Sequence, residues 1–317
     1  MVTRREFLSA LAASSVASSS VASGFPATSL GAGSRTDTAV APTMKYGYAA
    51  ITWGAQVTKA IEDMAAVGFK AIQLRGEAFA EFGARPEELR ALLGRYHLTF
   101  AVLSSGNLSI EPAREQEMLS MHLTHAQFVR DCGGRYVQVI DERPKGRAVV
   151  SEDYRRLGRL LTELGKRTAD VGVPLVYHHH MNSTGEKPHE VRAVLDAADR
   201  RHVRLLFDVA HYQQAGGDPV AAIREYRDWL EVIHLKDVRA SGAGGPGGAG
   251  GSSGGYEFVE LGRGRVDLPG VFAALGDVAF DKWVIVELDR VPDPGRTPKE
   301  SAEMNKRYLI EQARQTI

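Results

Sequence analysis

The stretch from Val203 to Arg239, VRLLFDVAHYQQAGGDPVAAIREYRDWLEVIHLKDVR, decides the fold. Val203–Phe207 is a short apolar run without polar alternation, the pattern of a parallel strand covered on both faces. Asp208 and His211 follow at its C-terminal end. Gly216-Gly217-Asp218-Pro219 then supplies a turn, an N-cap aspartate and a proline at the first helical position. The spacing predicts a helix to about Trp229 and a second strand over Glu231–Leu235, with His234, Lys236 and Asp237 at its end. Two successive strands therefore release Asp, His, His, Lys and Asp on one side of a sheet. In α/β folds that side carries the chemistry.

The same beat runs outward in both directions. Further strands are predicted over Tyr46–Thr52, Ala71–Leu74, Phe100–Leu103, Tyr136–Ile140, Pro174–Tyr177 and Trp283–Val286. Between and after them, helices are predicted over Ala60–Val67, Pro86–Tyr96, Glu115–Arg130, Glu152–Asp170, Pro188–Ala198, Leu268–Leu275 and Pro298–Gln315. Eight strand–helix pairs spread over residues 44–317 are the content of a single-domain α/β (β/α)8 TIM barrel. An open doubly wound sheet would place a G-x-G-x-x-G turn after an early strand, and the chain has none there. Residues 241–255, almost entirely Gly, Ala and Ser, read as a loop inserted after the seventh strand.

Composition narrows the partners. The 317 residues are 44% hydrophobic and 25% charged with a formal net charge of zero, which speaks against a general nucleic-acid binder. The single cysteine, Cys132, excludes an internal disulfide. At the N-terminus, Thr3-Arg4-Arg5-Glu6-Phe7-Leu8 precedes an Ala- and Ser-rich run to Ala22. This resembles a twin-arginine export signal, which a receptor of the export machinery reads as an address. Residues 1–43 are thus expected to be a cleavable or disordered signal and linker, and the protein periplasmic or otherwise exported. The run is too short and too polar to stay as a membrane span.

Barrel strands end at the mouth, so their exits form one surface: Trp53, Glu77, Asn107, Asp141 or Glu142, His178–His180, Asp208 with His211, His234 with Lys236, and Glu287 with Asp289. Imidazoles and carboxylates from four consecutive strands make a mixed N/O set. It suits one divalent ion, Mn, Co, Zn or Mg, better than a thiolate-seeking metal. Alternation puts His178 and His180 on one face and leaves His179 structural. Asp237 and Asp289 also fit plain salt-bridge or capping roles.

Tyr177-His178-His179-His180-Met181, Phe207-Asp208 with His211, Ala215–Pro219, His234–Arg239 and Val286-Glu287 occur in order and at barrel spacing. Together they resemble the xylose-isomerase-like TIM barrels (the sugar phosphate isomerase/epimerase superfamily), nearest the inosose dehydratase branch, from Lys45 to the C-terminus. The resemblance implies one divalent metal held by Glu, Asp, His and Glu from strands five to eight. Asp208, His234 and Glu287 match the last three; His178 stands where the first Glu is usual. A metal set of His178, Asp208, His234 and Glu287 is therefore expected.

Such a metal would polarise a ketone, and a nearby base would take the α-proton. Glu287, His180 and His211 are the candidate acids and bases, with Lys236 as electrostatic support for the developing charge. Trp53, Glu142 and Arg265 are expected to line the substrate site. Carboxylate on one side and imidazole on the other favour β-elimination from a keto-sugar, keto-cyclitol or oxidised glycoside. A metal-dependent epimerase or isomerase is the alternative. A non-catalytic carbohydrate binder and an apurinic-site endonuclease are readings from other classes; the endonuclease would need further ligands and a basic face. The oligomeric state, a homo-oligomer included, is left open by the sequence.

Overall fold

Successive side chains of a strand point to opposite faces, and in this chain the alternation separates an interior set from a helix-facing set. The computed structural model describes residues 43–240 and 255–317. The twin-arginine segment and all of the glycine-rich run except Gly255 lie outside the described residues. Strands β1 (Lys45–Ala49), β2 (Ala71–Arg75), β3 (Thr99–Leu108), β4 (Tyr136–Asp141), β5 (Leu175–His178), β6 (Val203–Asp208) and β7 (Leu230–Leu235) run parallel in sequence order. After a hairpin of β8 (Asp237–Ala240) and β9 (Tyr256–Val259), strand β10 (Trp283–Val286) pairs with both β7 and β1 and closes the barrel.

The helices are α1 (Val57–Val67), α2 (Gly76–Phe82), α3 (Pro86–Arg95), α4 (Glu115–Asp131), α5 (Ser151–Asp170), α6 (Pro188–Ala197), α7 (Val209–Gln214), α8 (Pro219–Glu225), α9 (Leu268–Asp277) and α10 (Pro298–Arg307). Prolines open α3, α6, α8, α9 and α10 within the first two positions, where the missing N–H costs nothing. Helix α5 buries Leu157, Leu160, Leu161 and Leu164. Gly158 and Gly165 on α5 permit close contact with the chain around α6. A Cβ at Gly158 would stand 2.6 Å from the Ala197 carbonyl carbon, and one at Gly165 2.2 Å from the His202 oxygen. Among the described residues no helix is long and apolar enough to cross a membrane.

Ala71, Val176, Leu206, Val232 and Ile285 belong to one small buried cluster. Two residues further along the same strands, and so on the same face, stand Gln73, His178, Asp208, His234 and Glu287. The interior is thus apolar below and polar at the C-terminal mouth. That is the fold's contribution to the site.

Four local features depart from the sequence expectation. The helix predicted to about Trp229 stops at Glu225, and a turn leads into β7. Short helices α2 and α7 start directly at strand ends, too brief to leave a periodic signature. The residues after Lys236 open a hairpin strand that the sequence pattern did not predict. Strand β3 runs past Leu103 to Leu108, through an irregularity between Ser104 and Asn107 that contains Gly106 at φ 100°.

That extension places Ser105 under α4, with its Oγ 2.6 Å from His122 Nδ1 and 2.7 Å from His125 Nδ1. His122 Nε2 donates to the Asn107 carbonyl at 3.3 Å, so its Nδ1 accepts the Ser105 proton and His125 Nδ1–H donates to the hydroxyl oxygen. Burial, then the nearby His125, pushes His122 from 6.5 down to about 4. Below its ordinary value the unfolded chain binds a proton that the native state refuses. This contribution is therefore complete above about pH 6.5 and disappears as pH falls toward 4. It amounts to about 3 kcal/mol in all. His122→Asn is expected to flatten the fall of Tm across that window; an unchanged slope would assign the acid sensitivity elsewhere.

Candidate metal centre and active site

Asp208 ends β6 and begins α7. Its Oδ1 caps α7 by accepting from the Ala210 and His211 amides at 2.9 and 2.8 Å. With Oδ1 committed to the backbone, Oδ2 points into the mouth and has no hydrogen-bond partner. Around it stand His234 Nδ1 at 3.6 Å, His178 Nε2 at 3.7 Å and His211 Nε2 at 3.7 Å. His234 Nδ1 is also 3.5 Å from Glu287 Oε2. His178 Nε2 and His234 Nδ1 are buried without hydrogen-bond partners, like Asp208 Oδ2.

Unsatisfied buried polar atoms are costly, and converging ones call for an occupant. Ligand atoms about 2.0–2.2 Å from a tetrahedral ion lie about 3.3–3.6 Å from one another. The separations here meet that spacing closely. Asp208 joins two converging triads, His178–Asp208–His211 and Asp208–His234–Glu287, either of which fits a divalent ion of mixed N/O preference. Within the first triad, the His211 Nε2 also faces the Lys236 ammonium at 3.4 Å. Cys132 takes no part: it is buried at the end of α4, its Sγ donates to the Pro86 carbonyl at 3.5 Å, and burial pushes its thiol up to about 12.

The ligand geometry rests on two residues that the sequence reading passed over. Gln73 Oε1 accepts from His234 Nε2 at 2.9 Å, which fixes the tautomer and leaves the Nδ1 lone pair facing Asp208. Its amide nitrogen is 3.4 Å from Glu287 Oε2. Gln138 presents its amide 2.9 Å from His178 Nδ1, while its own Oε1 lacks a partner. Turning that amide over lets Oε1 accept Nδ1–H and frees the His178 Nε2 lone pair. The signal was available: each glutamine interrupts an otherwise apolar buried strand. Gln73→Leu is expected to weaken metal binding by about 10–100-fold without unfolding the barrel, as titration calorimetry would show. Unaltered affinity would remove Gln73 from the metal's support.

The charges are arranged around Lys236. It is fully buried, and stripping water from an ammonium costs several kcal/mol unless its partners are good. Its three hydrogens face Glu287 Oε1 at 2.9 Å, Asp289 Oδ1 and His211 Nε2, and its Nζ lies 4.0 Å from the centre of the Phe258 ring. Burial opposes the charge, but Asp289, Glu287 and Asp208 raise its pKa above the usual lysine value. Burial alone would raise the Asp208 carboxyl, yet its surroundings, the Lys236 ammonium among them, hold it well below its usual range. Burial is likewise overcome at Glu287, which His234, Lys236 and His178 bring down to about 2. Burial pushes His178 down to about 3 and His211 well below its ordinary value.

This arrangement corrects several expectations. Lys236 does not line the cavity: it is fully buried, and its ammonium faces residues of the protein. Glu287 accepts from Lys236 through Oε1 and turns Oε2 toward His234 Nδ1. Trp53 is buried in the core, Nε1 donating to Asp63 at 2.8 Å and its ring edge-on to Tyr48, away from the cavity. Arg265 is exposed beyond the mouth, donating to Gln214 at 2.5 Å. Glu142 does line the cavity, 3.3 Å from Arg114. Asp237 accepts four backbone amides, from Val238, Gly262, Gly264 and Val266, and organises the turn before α9. His179 packs on Phe207 and Tyr212, and its Nε2 accepts from the Asp208 amide at 3.2 Å.

The cavity above the donor atoms holds about 440 Å³ and is lined by His178, His180, Asn107, Asp141, Glu287 and Asp289 among others. His180 Nδ1 donates to the Met181 carbonyl at 2.7 Å, so the lone pair is on Nε2. The His211 ring lies against His180, centroids 3.8 Å apart, and fixes the plane of the imidazole.

A closed parallel barrel with a mixed imidazole–carboxylate cluster at its C-terminal mouth defines a class, and the chain belongs to the xylose isomerase-like TIM barrel family, which residues 61–308 match. An inosose dehydratase from Lacticaseibacillus casei is 28% identical over 298 residues, spanning 84% of this chain and 96% of its own. The solved structure of the IolI protein with a bound zinc atom superposes with a TM-score of 0.71 at 18% identity, covering 84% of this chain and 97% of that one. A probable 3-DHS dehydratase, AsbF from Bacillus anthracis, gives a TM-score of 0.68 at 16% identity, covering 85% and 100%.

Proposed function

We propose that the protein is a lyase that removes the α-proton of a keto-sugar, keto-cyclitol or oxidised glycoside and expels the β-substituent. The observation that carries this reading is the one-sided supply of proton-moving groups. Glu287 is held by Lys236 and the metal donors, and strand five offers His178 as a donor where a second carboxylate would serve a symmetric proton exchange. His180 Nε2, facing the cavity, is then the group able to accept the proton. A bound divalent ion would polarise the substrate ketone and make the α-carbon acidic. His180 takes that proton while the Met181 carbonyl steadies the resulting imidazolium, and the same imidazolium can hand it to the departing oxygen. The dehydratase name of the curated relative supports a lyase over an isomerase.

The test is incubation of the metal-loaded protein with 3-keto-glycosides and inososes in D₂O, followed by NMR. Loss of the β-substituent with formation of an enone is expected. Deuterium entering the α-position with the substituent retained would replace the lyase with an epimerase.

We read Arg4-Arg5 as an export address, so that the substrate is met outside the cytoplasm. Arg4→Lys with Arg5→Lys is expected to hold the protein in the cytoplasm. Undiminished export of the double mutant would count against the signal.

A further inference from the structure

The cavity over the metal donors has a neighbour. A second cavity of about 460 Å³ shares Glu142, Arg143 and Lys145 with it. Its remaining wall comes from Ser109–Glu111 and Arg114 after β3 and from Pro144 and Arg147 after β4. It therefore lies on the catalytic face, one wall removed from the cavity that holds the reacting ring.

The second cavity is built before any ligand arrives. Arg156 of α5 donates to the Ile110 carbonyl at 2.5 Å, and the Glu142 amide donates to Leu108 at 3.0 Å. Thr184 Oγ1 donates to the Glu142 carbonyl at 2.9 Å, and Arg143 Nε to the Ser183 carbonyl at 3.0 Å. A wall tied down in this way needs little ordering on binding.

Its charges select the ligand's chemistry. Arg114 pairs with Glu117 and Glu142 at 3.1 and 3.3 Å, Arg143 with Glu190 at 3.3 Å, and Arg147 with Asp153 at 2.7 Å. Phosphate or sulfate would need guanidinium forks left open for it, and these three are each engaged by a carboxylate; the fourth cation of the lining, Lys145, offers a single ammonium and no fork. A neutral polyol instead needs donors and acceptors side by side, which paired Arg and Glu side chains supply.

We propose that this second cavity is the leaving-group subsite. It receives a neutral, hydroxyl-rich unit attached to the ring that sits over the metal donors. The substrate is then an oxidised disaccharide or a comparable glycoside, not a free keto-cyclitol. The assignment rests on the elimination reading above. In that step the α C–H bond breaks, its proton passes to His180 Nε2, and the carbon–carbon double bond forms as the C–O bond to the second unit breaks. The released oxygen takes the proton back and leaves as a neutral alcohol, with no change of oxidation state.

The test compares equilibrium binding and turnover of 3-ketomaltose and 3-ketocellobiose with those of the methyl 3-ketoglucosides of matching anomeric form, on the metal-loaded full chain. At least one disaccharide is expected to bind about tenfold or more tightly than its methyl counterpart. The ratio should fall toward one in Arg114→Ala and in Glu111→Ala, each checked for an unchanged melting temperature. Equal binding of disaccharide and methyl glycoside by the wild type, or a ratio preserved in both variants, overturns the subsite. Tighter, Arg114-dependent binding without release of the second unit keeps the subsite and overturns the elimination.

Discussion

Asp208→Asn is expected to empty the metal centre while the barrel stays folded. The carboxylate has two separable tasks: Oδ1 caps α7, and Oδ2 stands among the His178, His211 and His234 nitrogens. Asparagine retains an oxygen for the cap but removes the charge and one acceptor lobe facing the ion. Asp208→Ala loses both, and the lost cap should cost about 1 kcal/mol beyond the asparagine variant. The loss of affinity should exceed the 10–100-fold typical of removing an outer-layer partner. Metal content after dialysis, with calorimetric titration of the apo forms, measures it. Full occupancy in Asp208→Asn would sink the ligand assignment.

His180→Ala should do the opposite: keep the metal and lose the reaction. Its imidazole is absent from the donor cluster, and its lone pair faces the cavity from Nε2. Removing a positioned general acid–base typically lowers turnover by about 10²–10⁴-fold. The deficit should be larger for a poor leaving group, because only a poor leaving group needs a proton as it departs. Rate constants for substrates bearing alkoxy and nitrophenoxy groups separate the two cases. A variant with normal turnover on both would show that the imidazole moves no proton.

The barrel was legible because its strands are mainly apolar and several of its helices open on proline or an N-cap aspartate. The place of the candidate donors was legible for the same reason: residues at the ends of apolar strands project at the mouth, and Asp208, His234 and Glu287 do so. Roles were harder to read than places. Lys236 and Glu287 are both site residues, but only their mutual contact shows that each is occupied by the other. Trp53 follows a strand closely enough to suggest the mouth, yet the 3₁₀ turn Ala50–Trp53 swings it into the core beside Tyr48. Gln73 and Gln138 lie within strands, where an exit-by-exit reading does not look.

The lone thiol has a use of its own. Cys132 closes α4 against the first residue of α3, and its sulfur is protonated at neutral pH because burial disfavours the thiolate. Thiolate is the species that alkylating reagents attack. The native protein should therefore be nearly inert to such reagents, and each labelling event would record an opening of the seam between α3 and α4. With one cysteine in the chain, the rate of modification becomes a clock for that opening, read without any spectroscopic tag and away from the metal.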